Sequence, residues 1–103
     1  MQFENRIYSR AEMREREIDT SDYAIMTEAA EVEGTLVLKA DARNRMLLLV
    51  FVRADGRKIL APLFWWQRSA GFYDLTVGQK YRLTYVPGKD GYAKLGTAIP
   101  VGD

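Results

Sequence analysis

Apolar and polar residues alternate along the chain from residue 34 onward, as expected of β-strands with one buried face. In the first alternating stretch, Leu36, Leu38 and Ala40 share one face and Lys39 lies on the other. Turn-forming residues separate the stretches from one another. The pattern predicts five strands, at residues 34–40, 46–52, 58–65, 79–86 and 92–99.

Two of these strands also indicate where they lie in the sheet. Residues 46–52 are apolar at every position, so we expect this strand in the middle of the sheet. It would be covered on both faces by the protein, or on one face by a ligand or partner. Pro62 in the third strand cannot donate a ladder hydrogen bond, which predicts an edge or a bulge at that point.

The connections between the strands carry their own signals. Asp55-Gly56 is a strong hairpin signal between strands two and three. Residues 87–91 contain one Pro and two Gly, which predict a second hairpin turn. Residues 66–77 have no regular period, and we expect one helical turn or an ordered loop there.

The first third of the chain is instead rich in the helix formers Glu, Arg, Ala and Met. Ser9 and Glu12 match a capping box, which predicts a helix over residues 10–17. Within it, Glu12 and Arg16 have the spacing of an i,i+4 ion pair. Apolar residues at helical spacing predict a second helix over residues 23–32, with an irregular lead-in to the first strand as the alternative.

The order of strands and connections resembles the OB-fold, a small five-stranded Greek-key barrel. Gly34-Thr35-Leu36-Val37 resembles the Gly-containing first strand of that fold, and residues 75–83 resemble the entry to its fourth strand. The resemblance covers about residues 33–100. It implies a mainly β protein, a five-stranded OB-like Greek-key barrel with an N-terminal helical extension. An SH3-like barrel is the alternative.

We therefore divide the chain into an N-terminal extension, residues 1–32, and a β-barrel domain, residues 33–103. The net charge of +1 conceals an asymmetry between the two parts. Residues 1–34 carry four Arg and nine acidic residues, a net charge of −5, whereas residues 35–103 carry eleven Lys and Arg and five acidic residues, a net charge of +6. The extension is acidic and the predicted barrel is basic.

Composition excludes several functional classes. The 103 residues suffice for one domain and include no His and no Cys. Zinc fingers, Ser-His and Cys-His nucleophile pairs, haem-binding His and disulfide frameworks are therefore excluded. The charged N-terminus does not match a signal peptide, and the longest apolar run, seven residues, is far short of the roughly twenty that span a bilayer. We expect a soluble, cytoplasmic protein that does not bind membranes.

The resemblance implies a nucleic-acid contact face on strands two and three and on the loops that join strands one to two and four to five. OB-folds of this kind stack bases on aromatic rings and contact phosphates with Lys and Arg. Phe51 is a further candidate ring. The candidate nucleic-acid-binding residues are Lys39, Arg43, Arg45, Arg53, Arg57, Lys58, Phe64, Trp66, Arg68, Lys89, Tyr92 and Lys94. The alternative is that the aromatic residues belong to the core and that the cations are solvated.

These patterns predict a non-catalytic module that binds single-stranded DNA or RNA with little sequence preference and uses no cofactor. No Gly-rich phosphate loop, nucleophile elbow or pair of catalytic carboxylates is evident, so we assign no catalytic residue and no metal ligand. The alternative is a protein-interaction or assembly module: an adaptor, an inhibitor or a homo-oligomer subunit. This alternative rests on the doubly apolar strand and on the opposite charges of the two parts of the chain. Whether the acidic extension covers the basic barrel stays open at this point.

Overall fold

The computed structural model describes residues 3–41, 46–63, 71–88 and 91–102. These residues form a mainly β structure with one short α-helix and one 3-10 turn. The strands are β1 (Ile7–Tyr8), β2 (Ala24–Ile25), β3 (Ala30–Asp41), β4 (Leu47–Arg53), β5 (Lys58–Leu63), β6 (Lys80–Pro87) and β7 (Ala93–Pro100). The α-helix α1 is Arg10–Glu15, and the 3-10 helix is Phe72–Asp74, inside the segment where one helical turn is predicted.

The described strands belong to one sheet in the order β2-β5-β4-β3-β6-β7, and β1 also pairs with β3. The five long strands match the five predicted strands, pair antiparallel, and differ from the predictions only at their ends. The twelve-residue strand β3 is the centre of the sheet. Its first half pairs with β6, its last residues pair with β1 on the same edge, and β4 pairs along its other edge.

The sheet does not close into the predicted barrel. The outer edge of β5 pairs with the short strand β2 at Ile59 and Leu60, where a closed barrel would place β7. A backbone hydrogen bond spans this gap: the Ala93 N–H donates to the Met26 carbonyl oxygen at 2.8 Å. Pro62 pairs with Leu48 beyond the two residues of β5 that contact β2, which agrees with the expected edge position.

A β-bulge at Val37 changes the faces of β3. The pairing with β4 shifts between Leu36, which lies opposite Phe51, and Leu38, which lies opposite Val50. Because the bulge inserts one extra residue, Leu36 faces the interior of the curved sheet and Leu38 faces outward. The prediction that Leu36 and Leu38 share a face is therefore wrong.

The bulge divides the apolar residues into an inner core and an outer core. The inner core includes Leu36, Phe51 and Leu83, all with no exposed surface. The outer core is smaller and is built on Tyr8, Leu38, Ala40 and Val50. Strand β4 contributes to both cores, because its odd-numbered residues face inward and its even-numbered residues face outward. This confirms the prediction that the doubly apolar strand is central and covered on both faces.

The N-terminal segment covers the outer core. Tyr8 in β1 is 1% exposed, and its hydroxyl accepts a hydrogen bond from the Glu4 N–H at 3.0 Å. The Arg6 guanidinium lies 4.1 Å from the centre of the Tyr8 ring and forms two hydrogen bonds with the Glu12 carboxylate, at 2.9 and 2.6 Å. These bonds lower the pKa of Glu12 to about 2. Glu12 thus pairs with Arg6, whereas its predicted partner Arg16 lies 5.5 Å from the Tyr8 ring centre.

Helix α1 confirms the first predicted helix and its capping box. The Ser9 hydroxyl accepts from the Glu12 N–H, and the Glu12 carboxylate accepts from the Ser9 N–H. The helix ends in a Schellman motif: the Glu17 N–H donates to the Arg14 carbonyl oxygen and the Ile18 N–H donates to the Met13 carbonyl oxygen. Glu17 accordingly adopts φ +53°, a left-handed conformation more usual for Gly.

The predicted second helix, over residues 23–32, is wrong. Ala24–Ile25 is strand β2, and residues from Ala30 onward belong to β3. Glu31 and Glu33 alternate with the partly buried Val32, so the segment has a strand period as well as a helical one. Pairing with β6 selects the strand, since Val32 then packs on the inner core while Glu31 and Glu33 lie within 4 Å of Arg82. The predicted boundary between residues 32 and 33 lies inside β3.

Two inner-core tyrosines predict opposite effects of the same substitution. The Tyr81 hydroxyl accepts a hydrogen bond from the Thr76 N–H at 2.8 Å, whereas the buried Tyr85 hydroxyl has no partner among the described residues. We expect Tyr85→Phe to raise the free energy of unfolding by about 1 kcal/mol, because it removes a desolvated hydroxyl, and Tyr81→Phe to lower it by about 1 kcal/mol. Urea unfolding of both variants measures these changes. Equal destabilisation by both would contradict this account.

Candidate functional site

The hairpin between β4 and β5 brings three candidate cations together. The Arg53 N–H donates to the Arg57 carbonyl oxygen at 2.8 Å, and the Gly56 N–H donates to the Arg53 carbonyl oxygen at 2.9 Å. Gly56 adopts φ +87°, which the turn requires, and Asp55 accepts from the Arg57 N–H at 3.0 Å. The Asp-Gly signal therefore correctly located the turn that holds Arg53, Arg57 and Lys58. We call these three residues the hairpin cations.

The hairpin cations are incompletely neutralised. The carboxylate of Asp55 lies 3.7 Å from Arg53 Nη2 and 3.6 Å from Arg57 Nε, so two guanidinium groups share one acid. The Arg57 N–H, together with the two guanidinium groups, lowers the pKa of Asp55. Lys58 lies 3.7 Å from Asp22 of the acidic segment. Because these separations are long and the side chains are partly solvated, the pairs are weak, and the turn keeps a positive charge.

Tyr23 lies beside the hairpin cations and was not predicted. The Lys58 Nζ is 5.3 Å from the centre of the Tyr23 ring. The two residues meet because β2 runs parallel to β5, with Ala24 opposite Ile59. This pairing joins segments about thirty-five residues apart, and no local pattern in the sequence signals it.

Lys39 does not belong to an exposed contact face. It is 5% exposed, and its ammonium group donates to the Leu75 carbonyl oxygen at 2.8 Å. Burial lowers the pKa of Lys39, an effect partly opposed by the charge of Asp74. Phe51 is likewise removed from the candidate rings, because it is fully buried in the inner core.

The remaining candidates lie on or beside β7 or outside the described residues. Tyr92 is 52% exposed and immediately precedes β7, and Lys94 is exposed within that strand. Strand β7 is last in the sheet order, and no contact between these two residues and the hairpin cations is found among the described residues. Six candidates lie outside the described residues, namely Arg43, Arg45, Phe64, Trp66, Arg68 and Lys89.

Metal ligands and membrane-spanning helices are two further features that bear on function. The described part of the chain contains no group of three or more Asp, Glu, His or Cys side chains that could hold a metal ion. Its α-helix is far too short to cross a membrane.

Comparison with known proteins identifies no protein similar to this chain. A scan against models of protein families, a search of curated proteins and a search of solved structures each returned no match to this chain. The case for a function therefore rests on the chain's own geometry and charge.

The buried ammonium of Lys39 predicts a pH-dependent contribution to stability. Because burial lowers its pKa in the folded state, the unfolded chain binds this proton more tightly. Protonation therefore destabilises the fold at low pH, and stability rises as pH increases toward the ordinary Lys pKa of 10.5. In Lys39→Met this gain is absent, so the free energy of unfolding of the variant, relative to that of wild type, should fall over the pH interval that ends near 10.5.

Chemical denaturation of both proteins at several pH values across this interval measures the difference. Lys80→Met removes an exposed cation from β6 and serves as the matched control, with a pH profile parallel to that of wild type. Parallel profiles for wild type and Lys39→Met would show that burial does not perturb the titration of Lys39.

Proposed function

We propose that this chain is a non-catalytic module that binds single-stranded nucleic acid, DNA or RNA, with little sequence preference. The proposal rests on the three hairpin cations, which lie within six consecutive residues that contain a single carboxylate. Phosphates bind such a turn through charge and hydrogen bonds that are independent of base sequence. The neighbouring Tyr23 ring supplies a surface on which a base can stack.

The order of the strands supports a relation to the OB-fold. The first of the five long strands, β3, pairs antiparallel with both β4 and β6. Hairpins join β4 to β5 and β6 to β7, and the connection from β5 to β6 contains a helical turn. OB-folds are partly open Greek-key barrels that use their strands and loops to bind oligonucleotides. This likeness is an analogy of fold, and it raises the expectation of nucleic-acid binding without assigning residues.

A second candidate function is a protein-interaction or assembly module, and the exposed apolar side chains at the ends of β7 favour it. Strand β7 is last in the sheet order, and its Ala93 N–H donates to the Met26 carbonyl oxygen. Tyr92 and Ile99 are 52% and 56% exposed at the two ends of this strand. Large exposed side chains of this kind are suited to contact with another chain. Sedimentation velocity at high protein concentration tests whether that chain is a second copy of this one.

The nucleic-acid proposal predicts salt-dependent binding that requires the hairpin cations. Fluorescence anisotropy of a labelled single-stranded oligonucleotide, titrated at several salt concentrations, should show affinity that falls steeply with salt. We expect Arg57→Ala/Lys58→Ala to weaken binding roughly tenfold or more at low salt. It should also reduce the slope of log affinity against log salt by about 1.4, because each phosphate contact contributes about 0.7 on a single strand.

The control is Arg10→Ala, which removes an exposed positive charge from α1, away from the hairpin. Its affinity should stay close to wild type. Equal losses in the control and in the hairpin variants would indicate a dependence on net charge alone, and an absence of binding at about 50 mM salt would overturn the proposal.

A further inference from the structure

A cavity of about 190 Å³ lies between the N-terminal segment and the outward face of the sheet. The sheet contributes Leu38 and Val50, which are buried members of the outer core. The segment contributes the rings of Phe3 and Tyr23, both partly exposed. Drug-sized ligands occupy pockets of roughly 300 Å³ or more, so this cavity suits a single side chain.

The charged residues that line the cavity favour a cation. Glu17 and Asp19 are both exposed and both line it. Asp19 accepts hydrogen bonds from the Ser21 N–H at 2.9 Å and from the Ser21 hydroxyl at 3.0 Å, and these bonds lower its pKa. The one lining cation, Arg16, has its guanidinium 5.5 Å from the Tyr8 ring centre. The lining therefore includes two acidic residues and one Arg, within a segment that is itself net negative. The Lys58 ammonium beside Tyr23 is paired with Asp22 at 3.7 Å.

Local hydrogen bonds fix the backbone of Glu17 and the carboxylate of Asp19. Glu17 occupies the left-handed position of the Schellman motif that ends α1, held by the hydrogen bonds of Glu17 and Ile18 to the last turn of the helix. Asp19 is held by Ser21. The Asp19 carboxylate is therefore already ordered at the cavity, which lowers the entropic cost of ordering it when a ligand binds.

We propose that this cavity binds the side chain of a lysine presented by a partner protein. The four-carbon stem would contact Leu38 and Val50, and the ammonium group would lie near Glu17 and Asp19, with the rings of Phe3 and Tyr23 adding cation–π attraction. A phosphate-bearing ligand is disfavoured here because the carboxylates repel it. This site shares Tyr23 with the surface proposed for nucleic acid, but Glu17 and Asp19 are not part of that surface, so variants of these two acids test the two proposals separately.

The test is an NMR titration of the full chain, ¹⁵N-labelled, with Nα-acetyl-lysine N-methylamide. The expected result is saturable shifts of the amide signals of residues 16–20, 23, 38 and 50, with a dissociation constant on the order of millimolar. The neutral analogue Nα-acetyl-norleucine N-methylamide has the same four-carbon stem but lacks the ammonium group. It should therefore bind at least roughly fivefold more weakly. Equal binding of the two compounds, or shifts spread over the whole chain, would overturn the proposal.

Variants separate recognition by the cavity from general charge attraction. Asp19→Asn and Glu17→Gln should each weaken lysine binding roughly threefold to tenfold, since each removes one carboxylate from the cavity. Glu15→Gln is the matched control, because it removes one exposed carboxylate from α1 that does not line the cavity. Equal weakening by all three variants would reduce the effect to net charge and contradict a site.

A second titration distinguishes a protein partner from a free amine. A glycine-flanked pentapeptide with a central lysine is compared with butylamine. Tighter binding of the peptide supports a side chain presented by a protein, because backbone contacts at the rim add to the stem and ammonium contacts. Equal or tighter binding of butylamine would overturn the assignment to a protein partner.

Discussion

The β-bulge at Val37 is the constraint on which the rest of the structure depends. A strand without it would place Leu36, Leu38 and Ala40 on one face, whereas the extra residue sends Leu36 inward and Leu38 and Ala40 outward. The outward face of β3 and β4 is consequently apolar and has to be covered. The segment of residues 3–23 covers it, with Tyr8 as its most buried residue. The bulge thus explains why the acidic segment is part of the fold.

This arrangement decides which surfaces remain for partners. Nucleic acid is expected to contact the second and third predicted strands, β4 and β5, but the outward face of these strands is aliphatic and is covered by the chain itself. The described surfaces that stay available include the hairpin cations at one end of β4 and β5, the exposed side chains of Tyr92 and Ile99 at the ends of β7, and the small cavity at the acidic segment. The first is positive and the last is negative, so they select ligands of opposite charge.

Much of the fold could be predicted from local patterns, but the part that combines distant segments could not. The positions of the five long strands, the Asp55-Gly56 turn and the capping box at Ser9 depend on neighbouring residues, and all three are confirmed. The bulge has no strong local signal, so the outward turn of Leu38 and the burial of Lys39 were missed. The sequence of residues 23–32 is compatible with both a helical and a strand repeat, and pairing with β6 stabilises the strand from Ala30 onward. Tyr23 reaches Lys58 only through the parallel pairing of β2 with β5.

The most direct test of the central role of the bulge is a methyl NOE measurement on the full chain. With the bulge in place, we expect NOEs from the Leu38 methyl groups to Tyr8 and Val50. We also expect NOEs from the Leu36 methyl groups to Phe51 and Leu83. If the Leu38 methyl groups instead show NOEs to Phe51 and Leu83, the strand has no bulge. The outward apolar face and its cover by the N-terminal segment would then be wrong.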